Sequence, residues 1–207
     1  TLMRRGEYDE LLPLLEARRG DVAQPVGAVE LCMALAHLAD GDLATGVELV
    51  LPWAQQAGPL QHQALALLAD AYTQAGQWQP AATSYELLLA LDPPAPAYVA
   101  WRAVQAYVQL GDNVQALRLL QGIDTATLPA SLRAEVLEET ARIARESNQW
   151  ELALQALDEI QTFAVQPGYR MLVEVERAHT LLSISDYDTA IPILTQAMIA
   201  YPDQAAG

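Results

Sequence analysis

The sequence contains no lysine. All 11 basic residues are arginine, and 26 acidic residues set the formal net charge at -15. A chain this acidic repels phosphate backbones and anionic lipid surfaces, so nucleic-acid partners and membrane surfaces are disfavoured. The single cysteine, Cys32, excludes an intrachain disulfide, and its place between Leu31 and Met33 in a helical pattern predicts a buried thiol. No apolar run is long enough to span a bilayer, and the compartment stays open between cytoplasm and periplasm.

Helix-forming residues are abundant instead. The chain holds 37 Ala and 33 Leu among 207 residues, whereas aromatic residues make up only 6%. Ala and Leu are strong helix formers, and β-branched residues are comparatively few. The composition therefore predicts an all-α protein.

Short polar turns recur along the chain at nearly constant spacing. Gly, and less readily Asn, adopts the left-handed backbone that ends a helix, whereas serine suits this position poorly. Each turn lies between two segments whose apolar residues are three and four positions apart, which predicts a pair of helices. The leading residues of the turns, separated by 35, 35, 35, 37 and 37 positions, are Gly6, Gly41, Gly76, Gly111, Asn148 and Ser185.

These units resemble the tetratricopeptide repeat, whose motif is W-x2-L-G-x2-Y, then A-x3-F, then P. The closest match reads Leu65-x2-Leu68-Ala69-x2-Tyr72, then Ala81-x3-Tyr85, then Pro93. Other units keep parts of the motif: Tyr107 and Ala116 in the fourth, Ala141 and Ala153 in the fifth, and Ala178, Ala190 and Pro202 in the sixth. A small residue stands five positions after most turns, where it would let the two helices of a pair approach closely.

The resemblance implies an all-α, right-handed superhelical solenoid of antiparallel helix pairs, in which stacking of neighbours supplies the core. We expect a single array over residues 1–207, a fragment of a longer protein, with repeats at 1–24 (partial), 25–58, 59–94, 95–128, 129–167 and 168–207. Uncapped ends would permit self-association. Pro13, Pro52 and Pro192 fall within second helices, which predicts that those helices start late or bend. The long connection from Ile123 to Pro129 predicts a local change in stacking.

No catalytic constellation, cofactor motif or metal-ligand spacing is found, so we expect a chain that is not an enzyme and needs no cofactor. His37, His62 and His179 fall in different repeats. A carboxylate cluster in the fifth repeat is more simply a solvated stripe, in which Glu138 and Arg142 form an i,i+4 pair.

The sequence favours a binding function over a catalytic one. In the family that the chain resembles, the first helices of the repeats line a concave groove. Carried over to this sequence, that geometry places Tyr98 and Trp101 near Arg142 and Arg145. Aromatic and arginine residues are enriched at binding hot spots. The predicted groove residues are Gln63, Asp70, Tyr98, Trp101, Gln105, Arg142, Arg145 and His179. Family members that grip a terminal carboxylate use Lys and Asn in the groove, and the absence of Lys here favours a different ligand.

The leading hypothesis is a bacterial scaffold that binds a partner protein or peptide, of unknown identity, through the groove. The alternatives are the helical-repeat portion of a larger envelope protein, of the polysaccharide-export or lytic-transglycosylase type, a carbohydrate-binding groove around Tyr98, Trp101 and Gln105, and a self-association module. The sequence alone does not choose the partner.

Overall fold

The computed structural model describes residues 6–19 and 27–200. These ranges contain α-helices, one 3-10 turn at Thr125–Thr127 and no strand. The helices are α1 (Tyr8–Glu16), α2 (Ala28–Ala39), α3 (Leu43–Gln55), α4 (Gln61–Gln74), α5 (Trp78–Leu89), α6 (Pro96–Leu110), α7 (Asn113–Leu120), α8 (Ala130–Glu146), α9 (Trp150–Phe163), α10 (Pro167–Ser183) and α11 (Tyr187–Ala200).

The chain divides into two compact units, residues 1–112 and 113–207. The first unit holds α1 to α6 and the second holds α7 to α11, and within each unit every helix packs against the next one along the chain. The predicted arrangement of successive helix pairs is therefore present in both units. The predicted repeat boundary at 24/25 and the motif residue Pro202 lie outside the described residues.

All six predicted turns have a left-handed leading residue, with φ from 57° at Asn148 to 91° at Gly41. At the fifth turn the Asn148 N–H bonds the Arg145 carbonyl at 3.0 Å, and the Gln149 N–H bonds the Ala144 carbonyl at 2.7 Å. This pair of bonds is the Schellman arrangement, which satisfies two carbonyls at the helix end. Ser185 adopts the same conformation, with φ 63°, although serine suits it poorly.

The position five residues after a turn is buried in all five second helices from α3 onward. Its occupants are Gly46, Ala81, Ala116, Ala153 and Ala190. At Gly46 a Cβ would lie 2.4 Å from Leu38 Cγ and 3.3 Å from the Ala34 carbonyl oxygen. Helices α2 and α3 therefore cross closely here, as the small residue predicts.

Each unit has its own apolar core. In the first unit Val50, Leu65, Leu68 and Leu88 pack together with small alanines from α2 to α4. In the second unit Leu137, Leu157, Ile160 and Val173 join α8, α9 and α10. A further cluster of Ala178, Leu181 and Ala190 joins α10 to α11. Each of these clusters takes residues from at least two helices, so the helices of a unit stabilise one another.

The predicted burial of Cys32 is wrong, and so is the late helix start that was one of the two effects predicted for the second-helix prolines. The other predicted effect, a bend, stays a prediction. Cys32 is exposed. The buried face of α2 carries Val29, Met33 and Ala36, at spacings of four and three, and Cys32 lies about 100° to one side of Met33. The second-helix prolines do not delay their helices, because α1, α3 and α11 each begin several residues earlier and continue through the proline.

The long connection between α7 and α8 is fixed by hydrogen bonds to α9. The Thr125 hydroxyl donates to Glu159 Oε1 at 2.6 Å, and Arg133 Nη2 donates to the same oxygen at 2.7 Å. The Arg133 guanidinium also lies 4.6 Å from the centre of the Phe163 ring. Burial opposes ionisation of Glu159, but the bonds from Thr125 and Arg133 outweigh it and lower the pKa of this carboxyl.

Candidate interaction surface

Two positions seven residues apart are open to solvent on successive first helices. They stand six and thirteen residues before the leading residue of the following turn, which places them on one side of the helix, two turns apart. We call these positions the first-helix face. In the first unit they are Gln63, Asp70, Tyr98 and Gln105, and in the second unit Glu135, Arg142, Leu172 and His179. All are exposed except Arg142, whose side chain is half-buried.

In the first unit a polar network joins the exposed sides of α4 and α6. The Tyr85 hydroxyl, from the helix between them, donates to Asp70 Oδ1 at 2.8 Å and accepts from Arg102 Nε at 3.1 Å. Arg102 Nη2 lies 3.4 Å from the same Asp70 oxygen, and Nη1 lies 3.5 Å from Gln105 Oε1. Burial and the nearby Asp70 carboxylate raise the pKa of Tyr85, despite an opposing hydrogen bond from Thr73, so the phenol stays protonated.

Arg102 is a member of this surface that the sequence reasoning missed. The sequence does contain an indication of this role, because Arg102 stands one helical turn before the predicted groove residue Gln105, on nearly the same side of α6. The enrichment of aromatic residues at binding hot spots favours the neighbouring Trp101 instead.

The two predicted aromatic residues differ in exposure. Tyr98 is 53% exposed, whereas Trp101 is only 8% exposed and contributes to packing. A buried ring offers little area to a partner, so Trp101 is not part of the surface that we propose below.

In the second unit the predicted arginines are both paired with carboxylates. Arg142 binds Glu139 and Glu146 of its own helix, and Arg145 binds Glu176 of α10. The hydrogen bonds that Arg142 donates to Glu139 and, to a smaller extent, to Glu146 outweigh burial and raise the pKa of Arg142. The predicted pair of Glu138 and Arg142 is wrong.

Glu138 is bound by another helix instead. It accepts a hydrogen bond from the Tyr169 hydroxyl of α10 at 2.6 Å. Burial and the carboxylate both raise the pKa of Tyr169. Because the Arg145–Glu176 pair also joins α8 to α10, two polar bridges hold the exposed sides of these first helices next to each other.

Tyr98 and Trp101 belong to the first unit, while Arg142 and Arg145 belong to the second. Their predicted junction stays a prediction. His179 lies on the exposed side of α10 in the second unit, close in sequence to Glu176.

Within residues 6–19 and 27–200, no group of three or more His, Cys, Asp or Glu side chains is arranged to hold a metal ion. None of the helices in the same ranges combines the length and the apolar character needed to cross a membrane.

Residues 64–96 match the family model of the tetratricopeptide repeat. This stretch is the repeat whose motif residues run from Leu65 to Pro93, so the resemblance noted in the sequence is confirmed. This one repeat is similar to those of TPR-type helical-repeat proteins, whose fold supports a general role in protein interaction.

The similarity to solved structures covers most of the chain and not only that repeat. A structure of MamA AMB-1 is 18% identical, with a TM-score of 0.63 over 87% of this chain and 93% of that one. A Podosopora anserina putative kinesin light chain with TPR-like repeats is 21% identical, with a TM-score of 0.55 over 86% and 95%. BtubC (BKLC) from P. vanneervenii is 16% identical, with a TM-score of 0.52 over 100% and 94%. No curated protein matches the chain in sequence. These likenesses confirm the all-α, TPR-like fold.

Proposed function

We propose that this chain is a non-catalytic scaffold that binds a protein or peptide partner across the first-helix face. One observation carries the proposal: the same two positions are open on α4, α6, α8 and α10, and their side chains differ from repeat to repeat. The positions that face the core are repetitively Ala and Leu. Chemical variety confined to an exposed, repeated position is what a recognition surface needs, because the repeats of a unit can then contact different features of a partner.

The polar bridges prepare this surface for binding. Asp70 and Gln105 are held by Arg102, and Arg145 and Glu138 are held by residues of α10. Side chains that are already ordered lose less conformational entropy when a partner binds. The bridges therefore favour affinity at the face without adding a contact of their own.

The charge of the face favours a basic partner. Arg142 of the face and the neighbouring Arg102 and Arg145 are each paired with a carboxylate, while Glu135 of the face and the neighbouring Glu138 are exposed on α8. An incoming carboxylate would have to displace one of these pairs, whereas an incoming Lys or Arg meets acidic groups at once. Complementary charge mainly increases the association rate and the specificity, and its effect weakens as salt rises.

A carbohydrate-binding groove and a role within a larger envelope protein are less well supported. Burial of Trp101 leaves Tyr98 as the exposed ring of the carbohydrate hypothesis, and one ring gives a sugar little stacking area. A role within a larger envelope protein rests on likeness of fold, which does not assign function.

The test is an affinity capture from source-cell lysate with identification by mass spectrometry, using two face variants and one control. The variants are Tyr98→Ala with Gln105→Ala in the first unit, and His179→Ala in the second. The control is Leu87→Ala on α5, which is 53% exposed but lies on a second helix. We expect specific proteins to bind the wild type and the control but to be depleted with a face variant of unchanged helicity. Equal capture by all forms would reject the first-helix face as the binding surface.

A further inference from the structure

The two polar bridges between α8 and α10 lie in register. One joins Glu138 to Tyr169 and the other joins Arg145 to Glu176, and in each bridge the two partners stand 31 positions apart in the sequence. The second bridge follows the first by seven residues on both helices. The exposed sides of α8 and α10 therefore run parallel, with the bridges two helical turns apart. We call these four bridging residues the α8–α10 frame.

The α8–α10 frame encloses an exposed apolar side chain. Leu172 stands three residues after Tyr169 and four before Glu176, which places it between them on the same side of α10. Its side chain is 58% exposed. Arg142 holds the matching place on α8, and its guanidinium is bound to two carboxylates of its own helix. An exposed apolar centre within a rim of ordered polar groups has the anatomy of a protein interface.

The position of Leu172 stays open when a further repeat follows it. Leu172 stands thirteen residues before the next turn, and the equivalent residues of α4 and α8 are Gln63 and Glu135. Both are exposed, although another first helix of the same unit follows each of them. The exposure of Leu172 is therefore a property of the first-helix face, which a following repeat leaves accessible.

The charges around the frame indicate the kind of partner. Arg142 and Arg145 are already paired with carboxylates, whereas Glu138 is bound by a neutral phenol and Glu135 stands one helical turn before it. Within the part of the chain that the structure describes, neither Glu135 nor Glu138 forms an ion pair. A second copy of this chain, with its net charge of -15, would be repelled, whereas a Lys or Arg of a partner would meet opposite charge.

We propose that the α8–α10 frame binds a partner segment that places an aliphatic side chain on Leu172 and a Lys or Arg against Glu135 and Glu138. Packed helices lie about 8–10 Å apart, and the rise from Tyr169 to Leu172 is about 5 Å, so Leu172 and Glu138 are about 10 Å apart. An extended chain covers that distance in about three residues. The expected partner therefore carries an aliphatic and a basic residue within about four positions of each other.

This inference rests on the proposed function, because Leu172 and Glu135 belong to the first-helix face, and it adds the chemistry of the partner. The probes are labelled synthetic peptides of about 12 residues in a Gly/Ser background, each with one Leu and one Lys at separations of one to four positions. Matched peptides have Glu in place of Lys, or Ser in place of Leu. Fluorescence anisotropy measures binding to the whole 207-residue chain, and methyl NMR with carbon-13-labelled leucine locates it.

Two pairs of variants separate the apolar contact from the charge. Leu172→Ser removes the apolar centre, and its control is Leu87→Ser, whose side chain is 53% exposed on α5. The double variant Glu135→Gln with Glu138→Gln removes two charges, while the new amide oxygen can still accept the bond from the phenol. Its control, Glu48→Gln with Glu151→Gln, removes the same charge from exposed positions of second helices. Circular dichroism verifies that each variant folds.

We expect at least one Leu–Lys peptide to bind saturably and to shift the Leu172 methyl signals of the wild type. Binding should weaken about tenfold or more with Leu172→Ser and with the Glu135 and Glu138 double variant, and stay unchanged with both controls. The matched peptides should also bind at least about tenfold more weakly. Three results would each overturn the inference: no saturable shift at any separation, equal binding of the Glu peptides, or equal weakening by the controls.

The capture from source-cell lysate distinguishes failure of this inference from failure of the proposed function. If the peptides fail but capture still depends on His179→Ala, or on Tyr98→Ala with Gln105→Ala, the first-helix face binds a partner of different chemistry. If the peptides fail and capture is equal for all forms, both proposals are wrong.

Discussion

Replacing Gly46 by alanine tests whether α2 and α3 cross as closely as the fold requires. Gly46 lies within α3 and is buried against α2. At an ordinary interior position of a helix, Gly→Ala stabilises by about 1 kcal/mol, because alanine has the better helix propensity. At this crossing we expect Gly46→Ala to destabilise the protein instead.

The added methyl group has no room. It would lie 2.4 Å from Leu38 Cγ and 2.5 Å from Leu38 Cδ2, well inside contact distance. Cγ stands next to the backbone of α2, so Leu38 cannot step aside without leaving its rotamer or moving the helix. Overpacking of this kind costs about 1–3 kcal/mol, and the upper part of that range applies because both overlaps are severe. The net loss of unfolding free energy should be about 1–2 kcal/mol.

Shortening Leu38 to alanine should reverse the sign of the stability change that Gly46→Ala causes. In a Leu38→Ala background the methyl group meets the Ala34 carbonyl oxygen at 3.3 Å, which requires only a small adjustment. Gly46→Ala should then stabilise by about 1 kcal/mol relative to the Leu38→Ala protein. Gly58→Ala is the matched control, since nothing lies within 4 Å of its added Cβ.

Urea denaturation followed by circular dichroism gives the unfolding free energies, and hydrogen exchange of the α2 and α3 amides reports the local effect. The four proteins of the Gly46 and Leu38 cycle should show a coupling of about 2–3 kcal/mol. If Gly46→Ala stabilises the protein in both backgrounds, the two helices do not cross closely at this position and the reasoning fails.

Three further changes test other contacts. Ser185→Gly should stabilise the protein by about 1 kcal/mol in urea denaturation, because glycine adopts the left-handed backbone without penalty; no gain would argue against that conformation. Tyr85→Phe should lower the unfolding free energy by about 1–2 kcal/mol, since the Asp70 and Arg102 side chains lose their shared partner; an unchanged value would show that the network contributes nothing. Glu159→Gln should destabilise the protein at pH 7. The lowered pKa of Glu159 means that its contribution is present above about pH 4.5 and is lost as the pH falls, so wild type and variant should converge in acid.

The sequence predicted the helices and turns well because both are set by local interactions. At Gly76 the helix α4 ends with two backbone bonds, from the Gly76 N–H to the Thr73 carbonyl and from the Gln77 N–H to the Tyr72 carbonyl. The signal and the structure that it controls therefore lie within a few residues. Burial of Ala81 and Tyr85 follows from their place in the same short motif.

The arrangement of the surface charges could not be predicted in the same way. Arg142 has carboxylates at several reachable spacings on α8, and helical periodicity does not rank them. Glu138 is taken by Tyr169 of α10, a residue 31 positions away, which leaves Glu139 and Glu146 for the arginine. The burial of Trp101 has a similar cause, since periodicity alone cannot tell a groove position from the packed position beside it.

The fold explains why the partner is harder to predict than the scaffold. Core positions are constrained by neighbours within the chain, so Ala and Leu recur there and reveal the repeat. A binding surface is constrained instead by molecules outside the chain, and the residues of the proposed first-helix face therefore need not repeat. Asp70, Gln105, Arg142 and His179 occupy one equivalent position and share neither charge nor size. Their diversity is the reason that we propose this face as a binding surface, and a partner would have to match the charges and sizes of the side chains that it contacts.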